Sequence, residues 1–303
     1  MEEIAAPPKV TALVLSYNSA PALRRCLAAL EASKGREQLE IIVVDNGSAD
    51  ESPRLDVDFP GVTIMRLPKY FGATRALNIG MRTSNGDFLF VIGPEVVVEP
   101  DTVMALLARI EADDSIAAVC PLLIDESGNP VSSSRRLPSM SDMSAVWRDP
   151  DALPVISVGQ TAEAVTVEYP DPRAVMYRKF FVRALNWLDE RYGEFGADLE
   201  LAFQIRRSQK KTVLFPGIHA RVLDNGIARF NQAAVAAFSA DRAHGAAVFA
   251  GKHGGFFQGL TVRLSAIFHV LGQLLSFRQP GFQLKRLSAL LGGAKIDGTA
   301  RTI

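Results

Sequence analysis

Between Val10 and Phe215 apolar residues fall in two alternating periods. Val10–Leu15, Ile41–Val44, Val62–Leu67 and Phe88–Ile92 are short, nearly continuous apolar runs closed by polar residues. That pattern predicts strands buried on both faces. Between the runs the spacing is helical. Pro21 opens a segment with Leu23, Cys26, Leu27 and Leu30 on one side, Gly72–Arg82 reads as a second helix stopped by Asn85-Gly86, and Pro100-Asp101 starts a third through Ile110. Ile116–Cys120 then returns to the sheet. Strand alternating with helix predicts an α/β fold with a mostly parallel sheet flanked by helices.

The Phe88–Ile92 run organises this part of the chain, because it stops at Gly93-Pro94-Glu95. Ligands of open α/β sheets bind outside the carboxyl ends of the strands, so Glu95 stands where a bound cation or phosphate would lie. A solvated turn carboxylate is the plainer alternative. From Asp125 to Asp171 the periodicity fades and Pro138, Pro150 and Pro154 punctuate an irregular stretch, which reads as a functional loop or a disordered one. Order resumes at Val175–Val182. The acidic segment Leu188–Asp198 approaches a helix with Leu199, Phe203 and Ile205, and Thr212–Phe215 reads as a closing strand ending at Pro216.

From Ala233 on, the chain is helical in character. Leu260, Leu264, Ile267, Phe268, Leu271, Leu274 and Leu275 recur at helical spacing, interrupted by Arg263, His269 and Gln273. Such a segment packs on the protein's own core or lies on a membrane surface. The expected organisation is a tail over 1–9, an α/β domain over 10–230 with its irregular loop at 125–171, and a helical extension over 231–303.

The 303 residues carry 33 basic and 33 acidic side chains, a balance that gives no sign of a nucleic-acid partner. Neutrality hides an asymmetry. Between Gly251 and Ile303 there are seven Lys/Arg against the single acid Asp297, which points to an anionic surface near the end of the chain. Cys26 and Cys120 have neither disulfide nor zinc spacing and read as buried thiols of a reducing compartment. The first residues lack an apolar leader segment, and no run reaches the roughly 18 apolar residues that span a bilayer. The expected location is the cytoplasm, at the inner face of the membrane if the basic segment docks there.

The candidate chemistry is carboxylate and amide chemistry. The glycine fingerprints of dinucleotide and P-loop sites are missing, and Asp45, Asn78, Glu95 and Asp198 stand at strand and helix ends instead. Ser16-Tyr17-Asn18, Val43-Val44-Asp45-Asn46-Gly47-Ser48, Asn78-Ile79-Gly80, Phe88–Pro100, Leu188-Asp189-Glu190-Arg191 and Gly196–Arg206 together resemble the ordered signature of family 2 glycosyltransferases, most nearly the bacterial rhamnosyltransferase-like group. Lys252-His253-Gly254-Gly255 is similar to a tail motif of that group.

The resemblance implies a GT-A fold, which is Rossmann-like, and transfer with inversion from a nucleotide-diphosphate sugar to a glycan or lipid-linked acceptor in cell-surface polysaccharide synthesis. It places Ser16, Tyr17, Asn18, Asp45 and Asn78 on the donor, Asp198 as general base, and Glu95 with Asp224 on a divalent cation, Mg²⁺ or Mn²⁺. The departures are specific. Gly93 and Ala197 replace acids of the metal loop and the base motif, and Asp224, with His219 nearby, stands where the family often has a metal-binding His. Further alternatives remain open at this stage: Asp45 as a turn former before Asn46-Gly47, Asp198 as the N-cap of a helix beginning at Leu199, a catalytically weakened relative that binds nucleotide or glycan without turnover, and a nucleotidyltransferase on a related sheet, disfavoured because no glycine-rich basic loop follows the first strand.

Overall fold

A computed structural model describes residues 7–131, 134–149, 153–156, 158–159, 163–223, 230–293 and 295–298. Among these the strands are β1 (Val10–Ser16), β2 (Leu39–Asp45), β3 (Val62–Arg66), β4 (Phe88–Ile92), β5 (Val96–Val98), β6 (Ile116–Ile124), β7 (Ser134–Arg135), β8 (Val165–Val167), β9 (Tyr169–Pro170), β10 (Ala174–Arg178) and β11 (Lys211–Val222). The helices are α1 (Ala20–Glu31), α2 (Ala73–Thr83), α3 (Thr102–Glu111), α4 (Met143–Val146), α5 (Lys179–Ala184), α6 (Ala197–Arg207), α7 (Gln232–Gly254), α8 (Phe256–Leu275) and α9 (Pro280–Leu291).

The main sheet runs β3-β2-β1-β4-β10-β6-β11-β5, with β8 also paired to β11. β3, β2, β1 and β4 are parallel, β10 lies antiparallel between β4 and β6, and β6 and β11 are again parallel. Alternate residues of the apolar runs feed two different cores. Val10, Ala12, Val14, Phe88 and Phe90 pack with Leu23, Leu27 and Leu30 of α1 and with Leu106 and Ile110 of α3 on one face. Leu13, Val44 and Leu89 pack with Ala76 and Met81 of α2 and Ile205 of α6 on the other. With both faces covered, no position in these strands needs to be polar, and this is why they read as continuous runs.

Three sequence expectations change or gain detail. β11 does not stop at Pro216; it continues to Val222, and its register against β6 shifts between Phe215 and His219. Proline lacks the N–H that a regular ladder needs, and a bulge is where a strand tolerates it. Val175–Val182, read only as a return of order, resolves into a strand followed by a helix, β10 and α5. The 125–171 stretch holds short elements, β7, α4, β8 and β9, and α4 brings Met143 into the core beside Trp147.

The helical extension packs into the same core as α2 and α6, through Ala240, Ala243, Phe249, Val262, Ala266 and Leu290. Asp241 on α7 is fully buried and accepts N–H bonds from Glu194 at 2.8 Å, Phe195 at 3.0 Å and Ile296 at 2.7 Å. One carboxylate thus joins α7 to the loop that enters α6 and to the segment after α9.

Candidate active site

Parallel register sets Ser16 opposite Asp45, so the loops after β1 and β2 leave the sheet side by side. They clamp each other. Asn18, held at a positive φ of 45°, donates its N–H to Ser48 Oγ at 2.8 Å, and its side-chain oxygen accepts the Ala49 N–H at 2.7 Å. Ser19 N and Ala20 N donate to Ser52 Oγ and Asp50 Oδ2. Ser16 is buried, with its hydroxyl on Ser19, so it supports this loop from below.

Asp45 is buried at this junction. Its Oδ2 accepts the Ser48 N–H at 3.1 Å, whereas Oδ1 has no partner among the described residues. Burial raises its pKa against the opposing bonds from Ser48. The alternative reading as a turn former accounts for the first oxygen and leaves the second unexplained. Asn46, also buried, binds the Phe71 N–H through Oδ1 at 2.8 Å and leaves its amide nitrogen without a partner among the described residues. Unsatisfied buried polar atoms on two consecutive residues are unusual, because each costs about 1–3 kcal/mol if nothing answers it. Gly47 has φ 81°, and a side chain there would run into the backbone of Lys69 and Tyr70 at 2.5–2.9 Å. Glycine therefore lets the 69–71 segment close over the junction. Tyr17 meets Tyr70 edge-on at 4.7 Å and lies parallel to Phe230 at 5.6 Å, completing an aromatic wall.

Glu95 sits one strand away, since β4 neighbours β1 with Ile92 opposite Val14. Its carboxylate folds over Gly93: a Cβ at position 93 would lie 2.7–3.0 Å from Glu95 Oε2, Cδ and Oε1. The single acid of this loop occupies the space a side chain at 93 would take. Asp224, its proposed companion, lies outside the described residues, and His219 sits in β11 with Nε2 buried and without a partner among the described residues. Among the described residues no group of three or more His, Cys, Asp or Glu is placed to hold a metal ion.

Asp198 belongs to the first turn of α6, which begins at Ala197 and has Gly196 at its N-cap. The N-cap alternative therefore gives way: Asp198 is inside the helix, and its Oδ2 accepts the Tyr169 hydroxyl at 2.5 Å. Burial, then the adjacent Asp198 charge, pushes the Tyr169 hydroxyl well up in pKa and keeps it a donor. Both residues border a small cavity of about 100 Å³ with Met143, Leu153, Leu199 and Arg242. Ala197 is core, but a second acid approaches from Glu194, which accepts the Tyr70 hydroxyl at 2.8 Å and the Ala73 N–H at 2.8 Å. Its pKa is raised by burial, and the Asp198 charge adds to the shift. Tyr70 touches Tyr17 on one side and Glu194 on the other, so it connects the Asp45 junction to the Asp198 turn.

Asn78 is placed differently. It is fully buried, its amide nitrogen donates to Leu188 O at 2.9 Å and Glu190 Oε1 at 3.0 Å, and its oxygen accepts the Leu188 N–H at 2.9 Å. These bonds hold α2 to the 188–190 loop.

The Lys252-His253 pair locks the back of α6. Glu200, 3% exposed, accepts Tyr192 Oη at 2.9 Å, Gln204 Nε2 at 2.6 Å, Lys252 Nζ at 2.7 Å and bonds His253 Nε2 at 2.7 Å. Burial alone would raise the Glu200 pKa, but the four bonds outweigh it and the net shift is downward. A carboxylate whose folded pKa is depressed contributes stability above its unfolded pKa and loses it as pH falls through the folded value. The melting temperature should thus drop as pH goes from 6 to below 4, and Glu200→Gln should remove part of that slope and cost on the order of 3 kcal/mol at neutral pH. Thermal melts of the two proteins across pH check this; parallel curves would refute it.

Tyr70, Tyr169, Glu194 and Phe230 escaped the sequence reading because each lies in a segment without periodicity. A weak signal existed for one of them: Glu194 is an acid four residues before Asp198 in a run already rich in acids.

The profile described as glycosyl transferase family 2 matches residues 11–157. Residues 11–157 are thus similar to glycosyl transferase family 2. Among curated relatives it is similar to the succinoglycan biosynthesis protein ExoO of Rhizobium meliloti (strain 1021), 32% identical over 37% of this chain and 32% of that protein. It is also similar to the N-acetylglucosaminyl-diphospho-decaprenol L-rhamnosyltransferase of Mycobacterium tuberculosis (strain ATCC 25618 / H37Rv), 24% identical over 67% of this chain and 72% of that protein. The chain spans only 27–33% of the length of ExoO and two other relatives of similar identity.

Two solved structures share the fold. GalNAc-T7 with UDP, GalNAc and Mn²⁺ superposes with a TM-score of 0.60 at 18% identity, over 71% of this chain and 43% of that one. The mannosyltransferase PcManGT from Pyrobaculum calidifontis, in complex with GDP-Man and Mn²⁺, superposes with 0.53 at 17% identity, over 96% and 88%. The fold is GT-A, as the sequence resemblance implied.

Proposed function

We propose that this protein is an inverting glycosyltransferase that moves a sugar from a nucleoside-diphosphate donor to a hydroxyl of a glycan or lipid-linked acceptor in polysaccharide synthesis. The observation that carries the reading is the Asp45 Oδ1, buried and without a hydrogen-bond partner among the described residues, on the residue before Asn46, whose buried amide nitrogen is likewise unanswered there. A nucleobase edge presents N–H and carbonyl groups together, which suits a free acceptor and a free donor on neighbouring residues. Ser16 and Asn18 shape this pocket from behind, and Asn78 supports it through the 188–190 loop rather than by touching the donor.

Asp198 then serves the acceptor. As the acceptor oxygen bonds to the anomeric carbon, the bond to the diphosphate oxygen breaks and the hydroxyl proton passes to the Asp198 carboxylate. A single displacement of this kind inverts the anomeric centre. Tyr169 donates to one oxygen of Asp198 and leaves the other to take the proton. A divalent cation, Mg²⁺ or Mn²⁺, would neutralise charge on the departing diphosphate. Glu95 is the described residue that would hold it, a hard carboxylate donor at the carboxyl edge of the sheet. A lipid-linked acceptor would bring the enzyme to the cytoplasmic face of a membrane, with the helical extension as the peripheral contact.

The test is calorimetric titration with a panel of uridine, guanosine and thymidine diphosphate sugars in the presence of Mn²⁺. One nucleotide class should bind, and Asp45→Ala should weaken it about tenfold or more, the loss of one or two hydrogen bonds to a buried charged group. If no nucleotide binds, or if Asp45→Ala binds as tightly as the wild type, the reading fails.

A further inference from the structure

α8 is apolar on two opposite sides. Gly259, Val262, Ala266 and Val270 are its buried residues, set against α7 and α9. At about 100° per residue, Phe257, Leu260, Leu264, Phe268, Leu271 and Leu275 fall along the side facing away from the protein, and all are exposed, Phe257 at 79%, Phe268 at 66% and Leu275 at 81%. Phe277 in the turn after α8 is 85% exposed, and α9 adds the exposed Leu284 and Leu291. A soluble surface rarely gathers this much contiguous apolar side chain without a partner. No helix among the described residues is long and apolar enough to cross a membrane, so the stripe is built to lie on a surface.

Charge decides between partners. Arg263, Arg278 and Lys285 are exposed on α8, on the turn and on α9, and no Asp or Glu occurs from Gly251 to Ile296. A second copy meeting this face across a two-fold axis would bring the three cations against their own counterparts. An anionic bilayer neutralises them while its acyl boundary takes up the leucine and phenylalanine side chains. We propose that α8, the turn after it and α9 dock the enzyme on an anionic lipid surface, with the Phe257–Leu275 stripe in the interface and Arg263, Arg278 and Lys285 on the headgroups. This extends the reading of a lipid-linked acceptor, and it is measurable without donor or acceptor, so the two can fail separately.

The experiment is cosedimentation of the full chain with vesicles of phosphatidylcholine alone or mixed with phosphatidylglycerol, at low and high salt. The wild type should pellet with the anionic vesicles at low salt and be released as salt rises. Leu264→Ser/Phe268→Ser/Leu275→Ser changes exposed side chains only, and should lower the partition about tenfold or more while leaving the melting temperature near wild type. Arg263→Gln/Arg278→Gln/Lys285→Gln should lower it about fivefold for each cation removed. Three results would overturn the proposal: wild type left in the supernatant with anionic vesicles, partition insensitive to both triple variants, or a dimer by light scattering that the serine variant dissociates while vesicle binding is absent.

Discussion

Asp198→Asn should lower the transfer rate by about 10² to 10⁴, the usual contribution of a positioned general base, and leave the dissociation constant for the donor nucleotide near wild type. The separation follows from geometry. Asp198 lies on α6 beside the small cavity and the Tyr169 hydroxyl, whereas the proposed nucleotide site lies at the β1 and β2 loops. Asparagine keeps an oxygen for Tyr169 but cannot take up the acceptor proton. Tyr169→Phe gives an independent check, because it leaves the carboxylate and removes only its donor. A purely structural Tyr169 would change stability without touching kcat. A positioning Tyr169 should lower kcat and keep the donor affinity. Normal turnover in Asp198→Asn would remove the base assignment. Loss of both turnover and nucleotide binding would point instead to a collapsed α6 turn.

The strand register of the site half was legible in the sequence because β1, β2 and β4 are covered on both faces and leave no polar residue to disguise them. Their carboxyl ends put Tyr17, Asp45 and Glu95 on one edge as expected. Legibility fails where a side chain's role depends on contacts far along the chain. Asn78 looked like a donor contact, yet its amide answers the backbone of Leu188, 110 residues away. Asp198 looked able to cap a helix, but Gly196 takes that position and frees the carboxylate for Tyr169, on a two-residue strand with no periodicity at all. Pro216 looked like a strand end because a bulge has no sequence period. The amphipathic reading of the extension found the right helices, but only the three-dimensional packing of Val262 and Ala266 against α7 reveals that α8 keeps a second apolar side outward.

A cation should bind this protein measurably only when a nucleoside diphosphate is present. Glu95 is the one carboxylate on the loop after β4, and Gly93 adds no second ligand. Magnesium-type sites with one or two carboxylates complete their octahedra with water and substrate phosphate oxygens, so the donor supplies most of the coordination here. Titration of Mn²⁺ into the protein alone should show no heat of binding, titration in the presence of the matching diphosphate should show a site, and Glu95→Gln should abolish it while the fold stays intact. Gly93→Asp makes the argument sharper. A Cβ at that position would lie 2.7 Å from Glu95 Oε2, so the introduced side chain must displace the Glu95 carboxylate from its resting place. If the displaced Glu95 and the introduced carboxylate reach the diphosphate together, affinity for Mn²⁺ should rise about tenfold, as a second charged ligand would give; if the metal is held elsewhere, neither substitution should matter. Equal nucleotide affinity with Mn²⁺ and with EDTA, unchanged in Glu95→Gln, would show that the loop carries no cation and that the leaving diphosphate is stabilised by protein groups alone.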